Sequence, residues 1–239
     1  HIHPHYGVFS PVRGEYLDLV AQAPLPTALQ TCPVAFDLGV GTGVLSAVLA
    51  RRGVPRVVAT DLSPRALACA LDNLQRLALT GQVELLQTDL YPPGQAALIV
   101  CNPPWLPAQP TSVLEQAVYD EDSAMLRGFL NGLATHLCDG GEGWLILSDL
   151  AEHLGLRSRE QLLQWVKAAG LQVLGRLTRG LAMAKPKTRA IRCTRRALLQ
   201  YGSAGAGSGA HVCALLLDQA MGTKITHVPY RGTAPSLKR

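Results

Sequence analysis

The chain is 239 residues long, 48% hydrophobic and 16% charged, enough length and apolar content for one sizeable α/β domain. No apolar run approaches the roughly 18 residues needed to cross a bilayer, which excludes a membrane-spanning helix, and no basic-then-apolar leader opens the chain. The net charge of +5 hints at nucleic acid, but residues 1–175 hold 10 Lys/Arg against 16 Asp/Glu (−6) and residues 176–239 hold 12 against 1 (+11), so the body is acidic where phosphate-dominated binding wants a basic surface.

From Val34 to Leu177 short β-like runs alternate with amphipathic stretches, the pattern of a parallel sheet with crossover helices. Before it, Arg13 to Ala21 predicts a short helix over the sheet. Val34 to Leu38 reads as a first strand entering Gly39-Val40-Gly41-Thr42-Gly43, and a helix then runs to Arg52, stopped by Gly53 and Pro55. Val57 to Asp61 is a second strand. Ser63-Pro64 supplies an N-cap and first-turn proline for a helix with Leu67, Ala70, Leu71 and Leu74 on one face. Val83 to Leu86 and Ala97 to Cys101 are the third and fourth strands, and Met125 to Leu137 is helical. Gly143 to Ser148 is the fifth strand, Glu160 to Ala169 a helix, and Leu171 to Leu174 begins a sixth strand.

Beyond Gly175 the character changes. Leu181 to Arg196 is basic with no clear period, and residues 178–200 offer no convincing seventh strand. A linker-like Gly/Ala/Ser run covers Gly202 to Gly209, followed by a helix candidate at Val212 to Ala220 and an extended run at Ile225 to Tyr230.

The chemistry gathers at the carboxyl ends of the strands. Glycines at a strand-to-helix turn let the backbone approach a ligand and expose helix amides. Here Gly39, Gly41 and Gly43 are compressed rather than spaced as GxGxxG, and Asp37 precedes them. A carboxylate there suits a cationic ligand, such as a sulfonium carrying an α-amino group, better than a pyrophosphate. Asp61 ends the second strand about twenty residues after the loop begins, where doubly wound folds put an acid on ribose hydroxyls. Asp89, after the third strand, is placed to accept from an adenine amino group.

Asn102-Pro103-Pro104-Trp105 closes the fourth strand. Consecutive prolines fix the backbone and remove competing amide donors. An amide or aromatic amine is a poor nucleophile because its lone pair is delocalised. The Asn102 side-chain oxygen and the Pro103 carbonyl can accept its two N–H bonds, and Trp105 offers a flat face for a planar acceptor. Catalysis by such a loop works through positioning and preorganised dipoles.

Taken together, Asp37 to Gly43, Asp61, Asp89 and Asn102 to Trp105 resemble class I S-adenosylmethionine-dependent methyltransferases of the small-domain kind. That group includes protein-glutamine methyltransferases and base-amino methyltransferases of rRNA or DNA. The resemblance covers roughly residues 5 to 177. It implies a doubly wound, mostly parallel, Rossmann-like sheet of the seven-stranded type, with its last strand expected to be incomplete. It also implies S-adenosylmethionine as cofactor. Asp37, Gly39, Gly41 and Gly43 would then hold its methionine part, Asp61 its ribose and Asp89 its adenine, with Asn102, Pro103, Pro104 and Trp105 as the catalytic acceptor loop.

Trp105 stands where the glutamine methyltransferases usually carry Tyr, so the acceptor does not transfer from them. Tyr6 to Tyr16 falls where relatives carry a covering segment, though its aromatics could equally pack on the sheet. The expected acceptor is a protein glutamine or similar nitrogen, or alternatively an rRNA or DNA base amino group. A non-catalytic or decayed methyltransferase fold is a further alternative.

Three regions are expected: a covering segment over residues 1–30, the methyltransferase domain over 31–177, and an atypical basic tail over 178–239. Within the tail, Gly205 to His211 and His227 to Pro235 resemble periplasmic receptors of the tripartite tricarboxylate transporters. Some forty residues are too few for that two-lobed fold, so the tail is expected to be out of frame or fused. A solute-binding protein is supported by this stretch alone. The chain opens on His1 rather than Met, so residues are expected to precede it. His1, His3 and His5 alternate at a ragged terminus, and no metal site is expected from them. Glu142 and Asp149 are expected to be solvated, and His136 and His153 structural. The six cysteines show no CxxC pair and read as reduced thiols of a cytoplasmic protein without a membrane partner.

Overall fold

The computed structural model describes residues 1–8, 15–107, 119–179, 188–195, 200–203 and 226–229. Its elements begin with helix α1 (Glu15–Gln22), followed by β1 (Val34–Leu38), α2 (Val44–Arg51), β2 (Arg56–Asp61), α3 (Pro64–Arg76), β3 (Val83–Gln87) and β4 (Ala96–Cys101). Then come α4 (Ala124–His136), β5 (Leu137–Ser148), the short α5 (Leu150–His153), α6 (Arg159–Ala168), β6 (Leu171–Arg179) and β7 (Thr188–Arg195). A separate parallel pair joins β8 (Gln200–Ser203) to β9 (Thr226–Pro229). The candidate helix at 212–220 lies outside the described residues.

β1 to β7 form one seven-stranded sheet in the order β3-β2-β1-β4-β5-β7-β6. Neighbours from β3 through β5 pair in parallel, while β7 lies antiparallel to both β5 and β6. Alternation along the strands divides the core between the two faces. Ala35, Val57, Ala59, Val100, Trp144 and Ile146 face α1, α2 and α3. Phe36, Leu38, Ile99, Cys101, Leu145 and Leu147 face α4 and α6.

The helix signals acted locally, as expected. The Ser63 hydroxyl accepts from the Ala66 amide and Pro64 opens α3. The buried face of α3, however, is Ala66, Cys69, Ala70, Asn73 and Leu74. Leu71 is 43% exposed, so the face is rotated from the predicted one. A fully buried asparagine holds the place where the pattern suggested an apolar residue.

The expected incomplete last strand is overturned: the sheet has its seven strands, and β7 comes from the basic stretch. Its inward residues, Ile191 and Cys193, are buried and alternate with Arg192 and Thr194. This period of two is short, and arginines disguise it. Arg192 owes its place to Glu142, whose carboxylate accepts from Nε at 2.7 Å and Nη2 at 2.5 Å. Glu142 also accepts from the Trp144 indole at 2.9 Å. Glu142 and Asp149 are therefore buried rather than solvated. The Thr194 hydroxyl adds a bond to the Gly141 carbonyl at 2.6 Å. His136 is structural, stacked on Tyr91 with ring centroids 4.2 Å apart, whereas His153 is exposed beside Asp149 at 3.6 Å.

Tyr16 is buried in the first core, while Tyr6 is 89% exposed, so the two aromatics at the ends of the covering segment behave differently. Arg52 closes the end of α1 by donating to the carbonyls of Val20 and Ala23, both at 2.5 Å. Cys32, Cys69, Cys101, Cys138 and Cys193 are free thiols; Cys213 lies outside the described residues.

Candidate active site

Register brings the predicted residues to one edge. Leu38 pairs with Thr60 of β2 on one side and Cys101 of β4 on the other, and Asp61 pairs with Gln87 of β3. At the roughly 5 Å spacing of neighbouring strands, the glycine loop after β1 lies between Asp61 and the Asn102 loop. The site is thus built across four strand ends, with Asp89 exposed just beyond β3.

Within the loop, Gly39, Gly41 and Gly43 all have positive φ, at 76°, 51° and 80°. The amides of Gly39 and Val40 donate to the Thr60 carbonyl at 2.9 and 2.8 Å, tying the loop to β2. Positive φ strains any side chain at all three, and two of them are also crowded. A Cβ on Gly39 would stand 2.7 Å from the Met125 methyl, and one on Gly43 3.2 Å from the Ala70 backbone. A Cβ on Gly41 would meet nothing within 4 Å, so the middle of the loop faces open space.

Asp37 is fully buried beneath this loop. Its Oδ2 accepts from the Ser46 hydroxyl of α2 at 2.5 Å, and its Oδ1 has no hydrogen-bond partner among the described residues. Burial pushes the Asp37 carboxyl up to about 6, with nearby Asp61 adding to the rise and Ser46 opposing it. A buried carboxylate oxygen without a partner is costly unless a donor or cation meets it. The residues therefore fit a ligand carrying an ammonium group against an open glycine turn. The same burial raises the Tyr16 hydroxyl further, with Asp37 contributing.

Asp61 is more committed than its position at a strand end suggested. Its Oδ2 accepts from the Gly41 amide at 3.0 Å and its Oδ1 from the Ser63 amide at 2.9 Å. Each oxygen keeps further acceptor capacity, so the carboxylate shapes the loop while still facing the site. Asn73 supports the loop from the other side. Its Nδ2 donates to the Thr42 carbonyl at 3.1 Å and the His3 carbonyl at 3.0 Å, and its Oδ1 accepts from the His3 amide at 2.7 Å. His5 continues this strap, its Nε2 standing 3.0 Å from Asp72 Oδ2. His3 and His5 thus lie along α3, and no group of three or more potential metal ligands occurs among the described residues.

In the loop after β4, Pro103 is buried while Asn102, Pro104 and Trp105 are half-buried. The Trp105 indole donates to Asn102 Oδ1 at 3.1 Å and packs against the second core. Leu106 bridges to Tyr119, and the Asp120 amide donates to the Leu106 carbonyl at 2.8 Å. Asp120 then caps α4, accepting from the amides of Met125 and Leu126 at 2.9 and 3.1 Å. Two of the residues between hold left-handed backbone without being glycine, Asp122 at φ 51° and Ser123 at 55°, at a cost of about 1 kcal/mol each. The Ser123 hydroxyl accepts from buried Arg157 at 3.2 Å. These supports escaped the sequence reading, although acidic residues ahead of an apolar helix were a usable capping signal. For Asn73 the signal was a polar residue four positions after Cys69 on the buried face.

A hollow of about 170 Å³ lined by Val34, Phe36, Arg56, Val58, Glu84 and the 92–95 loop lies on the sheet face and takes in none of these residues.

Against known proteins, the family model "Methyltransferase small domain" matches residues 1–159, two thirds of the chain. The chain belongs to the methyltransferase small-domain family. It is thereby a class I fold with S-adenosylmethionine as cofactor. A second model, "Tripartite tricarboxylate transporter family receptor", matches residues 181–239 and so takes in β7. Among relatives, a release factor glutamine methyltransferase of Cereibacter sphaeroides is 32% identical over 149 residues, 56% of this chain and 51% of that protein. The Salmonella typhimurium protein of the same name is 35% identical over 133 residues, 53% and 47% respectively. A ribosomal protein L11 methyltransferase of Pelotomaculum thermopropionicum is 41% identical over 69 residues, covering 28% and 22%. The chain thus spans about half the length of the glutamine methyltransferases it matches. Among solved structures, a ribosomal protein L11 methylase from Lactobacillus delbrueckii subsp. bulgaricus shares the fold, with a TM-score of 0.55 and 19% identity over 80% of this chain and 82% of that one. No helix among the described residues is long and apolar enough to cross a membrane.

Proposed function

We propose that the chain is an N-methyltransferase acting on a planar amide or amino nitrogen, with a protein glutamine side chain as the acceptor. The observation that carries this reading is the Asn102 loop at the end of β4, next in register to the glycine loop of β1. Likeness to the release factor glutamine methyltransferases supports the amide, and the acidic body favours a protein over RNA or DNA. A cytoplasmic location accords with free thiols.

S-adenosylmethionine supplies an electrophilic methyl group when bound. The chain's own residues do the rest by positioning. Asp37 Oδ1 takes the ammonium of the methionine part, Gly39 to Gly43 let the backbone approach it, and Asp61 and Asp89 accept from the ribose and adenine. The Asn102 oxygen and Pro103 carbonyl hold the two N–H bonds of the acceptor, turning its lone pair toward the methyl group, with Trp105 beneath its plane. Preorganised acceptors of this kind need no strong base near neutral nitrogen.

The test is tritiated methyl transfer to a cell lysate divided between protease and nuclease treatment. Label lost to protease alone supports the reading, and label lost to nuclease transfers the acceptor to a nucleic acid. Calorimetry that finds no S-adenosylmethionine binding at millimolar concentration would remove the enzyme reading in favour of a decayed fold. The basic stretch carrying the receptor match is proposed to be joined by frameshift or fusion. Resequencing the locus decides this, and an intact frame with full-length relatives sinks it.

A further inference from the structure

The Trp105 indole N–H is a donor only, and it meets the side-chain oxygen of Asn102 at 3.1 Å. That contact dictates which way round the Asn102 amide sits. Were the amide flipped, its NH₂ would confront the indole N–H, donor against donor. The backbone around Asn102 is already held. Its backbone continues from β4, and the following proline confines it to extended conformations. Pro103 and Pro104 each fix φ, and Leu106 is tied down by Tyr119 and Asp120. The side-chain torsions are the freedom that remains, and the indole three residues on restrains them.

We propose that Trp105 is a positioning residue whose indole N–H locks the Asn102 amide with Oδ1 presented to the acceptor nitrogen. An amide oxygen accepts two hydrogen bonds. Trp105 takes one, and the other receives an N–H of the acceptor. A flipped amide would instead turn donors toward a nitrogen that itself brings donors, and the productive pose would be lost. The lock rests on the reading of Asn102 as the acceptor-binding group. It adds a role that a flat ring alone does not provide, since stacking asks for a face and the lock asks for an N–H.

Two variants separate these roles. Trp105→Phe keeps an aromatic face and removes the donor, while Trp105→Leu removes both. With whole-cell protein as acceptor, serially diluted to separate apparent kcat from apparent KM, Trp105→Phe is expected to lower kcat about fivefold, the scale of one lost hydrogen bond. KM and S-adenosylmethionine affinity by calorimetry should stay within about twofold. Trp105→Leu should raise KM in addition. Wild-type kcat in Trp105→Phe, or a change confined to KM, would overturn the lock and leave Trp105 as a shelf. Solvent exchange of the Trp105 indole proton, followed by NMR, tests the bond without any turnover. It should be slow in the wild type and faster in Asn102→Ala, and equal exchange in both would also overturn the proposal. Absence of transfer by the wild type itself would instead strike the methyltransferase reading.

Discussion

The half of the sheet from β3 to β4 and the half from β5 to β6 are held by different kinds of contact. In the first, all pairings are parallel, and polar side chains brace the turns at the strand ends, some from close by and some, as Asp61 to Gly41 and Asn73 to Thr42, from farther along the chain. Ser46 serves Asp37 nine residues away, and Trp105 serves Asn102 three residues away. In the second, β7 enters antiparallel between β5 and β6, and its anchor is an ion pair between Glu142 and Arg192, fifty residues apart. One half carries the proposed site on turns braced by side chains of its own strands and helices. The other is closed by a strand whose place is chosen by what it meets. A basic stretch that also matches an unrelated receptor model can fill the slot between β5 and β6 because its backbone pairs on both sides, its inward apolar residues alternate at a period of two, and one of its charges answers a buried carboxylate.

The largest expected effect is in the first half. Asn102→Ala should lower methyl transfer by about 100- to 1,000-fold, as losing a preorganised dipole does, with S-adenosylmethionine affinity nearly unchanged in calorimetry. Equal losses of both would erase the division of labour between the acceptor loop and the glycine loop.

Glu142→Ala probes the other half. It leaves the Arg192 guanidinium, whose side chain is 24% exposed, without its carboxylate. Partial exposure moderates the cost of breaking such a pair to about 2–4 kcal/mol. Urea unfolding should show this, with cofactor affinity intact in the surviving folded fraction. An unchanged midpoint would mean that β7 is held by packing alone.

Asp37→Asn should act oppositely on stability and binding. In the folded chain the Asp37 carboxyl titrates near 6, above its ordinary 3.8. Its contribution to stability is therefore complete below about pH 4 and is lost as pH rises through 6, where a buried charge replaces a buried acid. At pH 7.5 the variant should be more stable by about 2 kcal/mol, the gap closing as pH falls toward 4. Its cofactor affinity should be lower. A variant less stable than wild type at pH 7.5 would show that the charge of Asp37 is already compensated.

Smaller still, Asp61→Ala should weaken S-adenosylmethionine binding by about 1–3 kcal/mol, the scale of a lost charged hydrogen bond. The Gly41 amide should lose hydrogen-exchange protection in the same variant. Lost protection without binding loss would restrict Asp61 to holding the loop.

The order β1–α2–β2–α3, both site loops and the boundaries of most elements were legible in the sequence, because they follow from turn residues, caps and periodicity within about ten positions. Val34–Leu38 is the predicted first strand to the residue, and Ser63 caps the helix that its sequence announced. Other features depended on tertiary packing. Leu71 turned outward because Asn73 had to reach Thr42 and His3. Asp61 gained the Gly41 amide only when β1 and β2 lay side by side. β7 became a strand because β5 and β6 offered it a slot and Glu142 a counter-charge. Local patterns determine which backbone a segment adopts. The partner of a buried polar group is decided by segments distant in the chain, since the cost of leaving it unpaired arises only once the core has closed around it.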